Sequence, residues 1–246
     1  MTAELVVITG AGSGIGRALA ERLAGNGTRV LAVGRRKAPL QALATAVSGV
    51  EACAADVATT AGHAAIQDAV GDRSVRWLVH NAGVLEPVGP LLEQSAEAIR
   101  AALAVNLEAP IALSRALLPA MAPQGRILHV SSGAAHRALA GWGAYCISKA
   151  GLYMAYQVLR EELAGRGIAV GSLRPGVVDT PMQGLIRAQA AEDFPAVAHF
   201  RALKAAGELS DPAEVADFME AVLRLPDATR FSAGEWDIRE HYPIRA

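Results

Sequence analysis

Two residues four apart, Tyr145 and Lys149, share one face of any helix that contains them. An ammonium on that face favours the ionised form of a phenol, which is otherwise a poor acid–base group at neutral pH. The pair is therefore a candidate proton donor. Far upstream, Thr9-Gly10-Ala11-Gly12-Ser13-Gly14-Ile15-Gly16 follows the β-branched run Leu5-Val6-Val7-Ile8-Thr9 and opens an amphipathic stretch. Glycine permits the tight turn and the close backbone approach by which free N–H groups at a helix start receive a dinucleotide pyrophosphate. Gly10, Ser13, Gly14, Ile15 and Gly16 are the expected contacts. A glycine-rich turn can also be no more than a tight turn, and its position after the first strand favours the phosphate loop.

The second apolar run ends in Val33-Gly34-Arg35-Arg36-Lys37, where an NAD-binding chain usually places a carboxylate on the ribose 2′-hydroxyl. Cations replace it here. A planar guanidinium on Arg35, with Arg36 beside it, suits a 2′-phosphate, so NADP(H) is expected in preference to NAD(H). The alternative is a solvated basic turn.

These residues need a scaffold, and short β-branched runs alternate with longer amphipathic stretches along the chain, which implies βαβ units and a parallel sheet. Strands are expected at Leu5 to Thr9, Arg29 to Val33, near Val50 to Ala54, Arg76 to His80, Arg126 to Val130, Ile168 to Leu173, and near Gly234 to Ile238. Helices fall at about 14–24, 39–47, 60–70, 96–119 and 143–164, and one more begins where Asp211 caps and Pro212 takes the first position. The fold class is α/β, a Rossmann-like doubly wound parallel sheet of about seven strands with helices on both faces. One domain spans 1–246, with an insertion over the sheet edge at about 179–209 that is expected to act as a substrate lid.

The 246 residues are 52% hydrophobic but only 4% aromatic, as suits Ala, Val, Leu and Ile packed between helices and a parallel sheet. Lys plus Arg number 23 against 24 Asp plus Glu, which leaves no basic field for nucleic acid. Cys53 and Cys146 are isolated, lack metal-site spacing and read as small hydrophobes, so no metal is expected. No apolar run of about 18 residues and no basic, then apolar, leader is visible. The expectation is a cytoplasmic protein without a membrane partner.

Thr9 to Gly16, Asn81-Ala82-Gly83, Ser132, Tyr145-Cys146-Ile147-Ser148-Lys149 and Pro175-Gly176 together resemble, in order and spacing, the short-chain dehydrogenase/reductase family. The resemblance covers essentially the whole chain. It implies that Tyr145 protonates a carbonyl oxygen as hydride reaches the carbon, that Lys149 also binds the nicotinamide ribose, and that Ser132 holds the substrate oxygen. Ser132 lies thirteen residues before Tyr145, which favours it over Ser131. Asn106 matches the helix Asn that supports a proton-relay water, and Asn81 one that ties central strands together. Asp56 and Val57 resemble the adenine contacts; Pro175, Gly176, Val178 and Thr180 resemble the loop over the nicotinamide amide. His80, where many relatives carry Asn, is expected to be structural.

A narrower likeness runs through Gly141-Trp142-Gly143-Ala144-Tyr145-Cys146, Pro175 to Gln183, Glu192-Asp193-Phe194, and Phe200 to Lys204. It is similar to the branch containing sepiapterin reductase and bacterial benzil reductase, and implies an NADPH-dependent carbonyl reductase acting on an α-diketone or aromatic carbonyl. Trp142, Met182, Leu185, Phe194 and Phe200 would line an apolar pocket, and Asp237 would fall where a pterin-anchoring Asp lies. The same catalytic group would serve another ketone, such as a 3-oxoacyl thioester, sugar or steroid. A non-catalytic NADP-sensing module is the remaining alternative, disfavoured because Tyr145 and Lys149 are both kept. A homodimer or homotetramer through the two long helices is expected.

Overall fold

A computed structural model describes residues 4–244. Strands β1 (Leu5–Thr9), β2 (Arg29–Gly34), β3 (Val50–Ala54), β4 (Val75–His80), β5 (Met121–Val130), β6 (Ala169–Arg174) and β7 (Glu235–Asp237) form one sheet. Their order is β3-β2-β1-β4-β5-β6-β7, and every pairing is parallel. The chain winds outward from β1 to β3, then returns to lay β4 on the other side of β1. A doubly wound sheet opens a crevice at that reversal, outside the carboxyl ends of the strands.

The first half carries α1 (Gly14–Gly25), α2 (Lys37–Ala46), α3 (Thr60–Val70), α4 (Ala96–Leu103) and α5 (Ala109–Leu117). The second half carries α6 (Gly143–Ala164), α7 (Pro181–Arg187), α8 (Val197–Ala205), α9 (Pro212–Leu223), α10 (Ala228–Ser232) and α11 (Ile238–His241). Alternate strand residues face two separate cores, as the period of two requires. Val6, Ile8, Leu128 and Leu173 join α1 and α9 residues on one side. Val7, Leu78, Ile127 and Val170 join Leu113 of α5 and Tyr156 of α6 on the other.

Three expected elements differ in detail. The single helix over 96–119 is interrupted between α4 and α5 by a π turn, Ala104–Glu108. Pro110 has no N–H to give to the carbonyl of Asn106 four residues back, and the Asn106 side chain bonds away from its own helix, as described below. The run Ala96–Ala120, of mean hydropathy 1.4, is long and apolar enough to cross a membrane. It is a core helix: Ala102, Ala109, Leu113 and Leu117 are buried against the sheet and α6. β5 begins five residues earlier than expected, with a register break between its pairings to Val75 and Trp77. The last strand stops at Asp237, because that side chain accepts from the Arg239 N–H and starts α11.

Candidate active site

At the sheet reversal, Gly10 and Gly14 take positive φ of 69° and 54°, a region that disfavours side chains. Ser13 is the N-cap of α1 but makes no side-chain cap bond, and the first turn holds no acidic residue. The helix start therefore keeps its amide donors and its positive dipole for an anion. Gly16 lies one layer below: a Cβ there would stand 2.4 Å from Asn81 Nδ2 and 2.6 Å from the Gly10 carbonyl oxygen. Asn81 Nδ2 donates to the Thr9 carbonyl at 3.0 Å, while the Asn81 and Ala82 amides both donate to Thr9 Oγ1. That lattice ties β1 to the end of β4 and fixes the loop.

A single cleft of about 1090 Å³ runs from this loop across the strand ends. Gly10, Ser13, Gly14, Ile15, Arg35, Arg36, Asp56, Val57, Asn81, Ala82 and Gly83 line its first part. Arg35 and Arg36 are exposed and make no ion pair among the described residues. Asp56 Oδ1 caps its own loop by accepting from the Ala58 amide. Loop amides, an unpaired guanidinium pair and glycines with no Cβ in the way fit a dinucleotide: the loop and α1 would hold the pyrophosphate, and Arg35 the ribose end.

The middle of the cleft contains Ser132, Tyr145, Lys149, Pro175, Gly176, Val178 and Thr180. α6 brings Tyr145 and Lys149 to one face, both buried. Lys149 Nζ donates to the Val130 carbonyl at 2.8 Å and stands 5.8 Å from the Tyr145 ring centroid. Burial pushes the Lys149 ammonium down to about 8, with Glu235 acting in the opposite direction. The ammonium was expected to hold the Tyr145 phenol down. Instead burial pushes the phenol up, against a hydrogen bond with Ser132. The reason is geometric, since Lys149 spends its bond on Val130 and lies over the ring. A raised phenol stays protonated through neutral pH, as a proton donor must.

Asn106 is wholly buried and does not line the cleft. Its Oδ1 accepts from the Val84 amide, and its Nδ2 donates to the Val84 carbonyl and to Ser148 Oγ at 3.0 Å. Ser148 in turn donates to the Tyr145 carbonyl at 2.8 Å. Asn106 thus clamps the loop after β4 to α6 from inside the π turn, a feature common at functional sites. His80 is buried on Ser114 Oγ at 2.8 Å and is held well below its ordinary range by burial, in keeping with a structural part.

At the far end stand Trp142, Met182, Leu185 and Phe200. Two expected substrate contacts lie elsewhere. Phe194 is fully buried behind the wall, stacked on Trp142 with ring centroids 4.6 Å apart, because an apolar ring on the inserted segment gains most by packing inward. Asp237 is also fully buried and off the wall. Arg239 grips its carboxylate from Nε at 2.9 Å and Nη2 at 2.5 Å, and Arg174 Nη2 lies 3.2 Å away. The cleft is faced by those two arginines instead. Arg174, Arg239, His136, Arg137 and Gln183 also line the cleft, and no motif marks them. Arg174 was the findable one, since it immediately precedes Pro175-Gly176 at a strand end.

A doubly wound sheet with a phosphate-type loop opening onto a Ser-Tyr-Lys group defines a nucleotide-dependent oxidoreductase domain. The family model "short chain dehydrogenase" matches residues 4–191. Benzil reductase ((S)-benzoin forming) of Bacillus subtilis (strain 168) is 31% identical over 226 residues, 89% of this chain and 93% of the relative. L-xylulose reductase of Bos taurus is 39% identical over 180 residues, 72% of each chain. Among solved structures, the KRED1-Pglu enzyme superposes with a TM-score of 0.87 at 32% identity, covering 94% of this chain and 99% of that one. A 3-ketoacyl-(acyl-carrier-protein) reductase from Brucella melitensis complexed with NADH gives 0.81 at 27%, covering 96% and 97%.

The chain belongs to the short-chain dehydrogenase/reductase family, and within it is similar to the benzil reductases. It is accordingly an oxidoreductase of the CH–OH/C=O class that uses a nicotinamide cofactor.

Proposed function

We propose that this enzyme is an NADPH-dependent carbonyl reductase whose substrate is an α-diketone or a related aromatic carbonyl. The observation that carries the reading is one continuous cleft whose wall passes from Arg35 through Ser132, Tyr145 and Lys149 to Trp142 and Phe200. The likeness to benzil reductases over nearly the whole chain supports the substrate class, and the unpaired Arg35 and Arg36 support the 2′-phosphate.

The nicotinamide supplies the hydride. Ser132 orients the carbonyl oxygen, and the Tyr145 phenol, kept protonated by burial, gives that oxygen its proton. Lys149, charged below about pH 8, sets the field around the phenol and holds the cofactor ribose. Asn106 keeps α6 and the Val84 loop in register for that transfer. Trp142, Met182, Leu185 and Phe200 give an apolar wall for a planar group. The segment between the Val178 and Ser210 bridge, which carries α7 and α8, serves as the lid. Exposed Ile111 on α5 and Ile147, Met154 and Val158 on α6 form the face through which the chain pairs as a homodimer or homotetramer.

A second reading, reduction of a sugar ketone or 3-oxoacyl thioester, has support in the L-xylulose reductase likeness and in the arginines at the cleft's far end. The deciding test is the rate of NADPH and NADH oxidation with benzil, 1-phenyl-1,2-propanedione and an acetoacetyl thioester. Faster turnover of a diketone with NADPH upholds the proposal. Turnover of only the thioester or a sugar replaces the substrate, and equal use of NADH removes the role of Arg35.

A further inference from the structure

Beyond Ser132, Tyr145 and Lys149 the cleft wall turns cationic. Arg137, Arg174 and Arg239 line it together with His136 and Gln183. Among the described residues the wall holds two acidic side chains, Asp56 in the cofactor part and Glu86 in the loop after β4. Hydride and proton transfer as proposed above use none of the three arginines.

The topology sets them beside the reacting centre. β5 and β6 are neighbours with Val130 opposite Leu173, and the Ser131 amide donates to the Leu173 carbonyl at 2.8 Å. Arg174 therefore leaves β6 about one strand spacing, ~4.8 Å, from the point where the chain leaves β5 toward Ser132. His136 and Arg137 follow Ser132 across the short turn Gly133–Ala135. On the other side Arg174 pairs in register with Asp237, which starts α11 and so places Arg239.

Two buried carboxylates hold these cations from behind. The Glu235 and Asp237 side chains are 6% and 0% exposed, and neither lines the cleft. Two residues apart on β7, they point to the same face. Arg239 grips Asp237 through Nε and Nη2 at 2.9 and 2.5 Å. Arg174 sets Nη2 3.2 Å from Asp237 and Nε 3.0 Å from Glu235, the latter without hydrogen-bond alignment. Exposed Glu240 stands 3.8 Å from Arg174 Nη2, and His136 Nε2 meets Glu235 Oε2 at 2.6 Å. Both guanidiniums thus turn the same edge to the carboxylates, and each Nη1 is left without a protein partner. Arg137 is exposed, and its guanidinium has no hydrogen bond or ion pair among the described residues. Gln183, only 3% exposed, spends its Oε1 on Arg187 at 3.3 Å and keeps its amide donors. The negative charge lies behind the wall and the spare donors belong to the wall. Fixed guanidinium forks suit a planar oxyanion, whereas a neutral aromatic ring laid over them would leave them unpaired.

We propose that this patch is an anion subsite, and that the carbonyl compound reduced at Tyr145 carries a carboxylate received by Arg137, Arg174 and Arg239. The inference deepens the substrate assignment made above and rests on that carbonyl-reducing reading. Among α-diketones and aromatic carbonyls, it selects those with an acidic group at the end away from the attacked carbon.

The experiment compares 4-carboxybenzil with its methyl ester, which share the reacting diketone and differ by one charge. In wild type, kcat/KM with NADPH is expected to be at least about tenfold higher for the acid, the worth of one charge-assisted contact, and added salt narrows the gap. Arg137→Gln and Arg239→Gln, both at exposed positions, each lower the acid-to-ester ratio several-fold, and the double variant brings it near one. Taking the ratio cancels any general damage to turnover. A ratio near one in wild type, or a high ratio that the double variant keeps, overturns the subsite and leaves diketone reduction in place. Calorimetric titration of the complex with oxidised cofactor, which reduces neither probe, keeps the two readings apart. Preferential binding of the acid, lost in the double variant, with no turnover of either probe upholds the subsite and removes the diketone reading. Equal binding of acid and ester, or binding of neither, overturns the subsite.

Discussion

The two ends of the cleft are made of different material. The cofactor end is backbone: positive-φ glycines, the amides of α1 and the Asn81–Thr9 lattice leave only Arg35 and Arg36 to act through long side chains. The substrate end is side chain, with Trp142, Met182 and Phe200 drawn from segments almost sixty residues apart and kept in place by ring stacking. Backbone-made sites are dictated by residue type, because few residues can occupy such a φ. Sites made of side chains depend on how distant elements pack, and an equally apolar residue can face the ligand or the core.

The largest effect that sharpens this contrast lies where the two ends meet. Tyr145→Phe is expected to lower kcat by about 10²- to 10⁴-fold, the usual worth of a placed proton donor. Cofactor affinity, followed by fluorescence titration, stays within about twofold, because the phosphate loop does not involve the phenol. Loss of cofactor binding in that variant would show that the two ends are not separable.

Next in size is Arg35→Ala. Removing a charge-assisted contact costs about 1.5–3 kcal/mol, so KM for NADPH is expected to rise about tenfold to a hundredfold, while KM for NADH holds. Equal rises for both cofactors would make Arg35 a general anion contact.

At the other end, Gly141→Ala places a Cβ 2.2 Å from the Asp193 carbonyl oxygen at a φ of +85°. The backbone of the segment carrying Phe194 must then move away from Trp142. Overpacking of this kind costs about 1–3 kcal/mol, and the expected signature is a several-fold rise in KM for an aromatic diketone with an unchanged KM for NADPH. A change confined to NADPH would reverse the assignment of the two ends.

The same division decides what the sequence discloses. The strand positions, the glycine loop and the shared face of Tyr145 and Lys149 are legible because periodicity and residue type are local. Phe194 and Asp237 were misplaced for one reason: being apolar, or being acidic on the last strand, does not say which neighbour is nearer. Trp142 and Arg174 took those walls instead. Pro110 marked the place of the π turn in the sequence, but the other half of its cause, the bonds of Asn106 to Val84 and Ser148, spans 22 and 42 residues and was hidden. The direction of Tyr145 was missed because burial, which outweighs the Ser132 hydrogen bond, cannot be read from a four-residue spacing.

The smallest expected effect concerns stability, and it tests whether the buried imidazoles of His80 and His129 are a cost of the fold. His129 has a folded pKa lowered to about 3 against about 6.5 in the unfolded chain. The unfolded state therefore binds a proton that the folded state refuses. Stability should be fully present above pH 6.5 and fall below it by up to about 1.4 kcal/mol per pH unit for this one group. His80, lowered in the same direction by burial, adds to the slope. Urea melts of wild type and His129→Leu at pH 7.5 and 5.5 measure the difference. The variant is expected to lose less stability on acidification, and to be no less stable at pH 7.5, since an imidazole with two unpartnered nitrogens is replaced by a side chain that needs none. If the acid slope is the same in both proteins, His129 is protonated or solvated in the fold, and its surroundings are less dry than its burial implies.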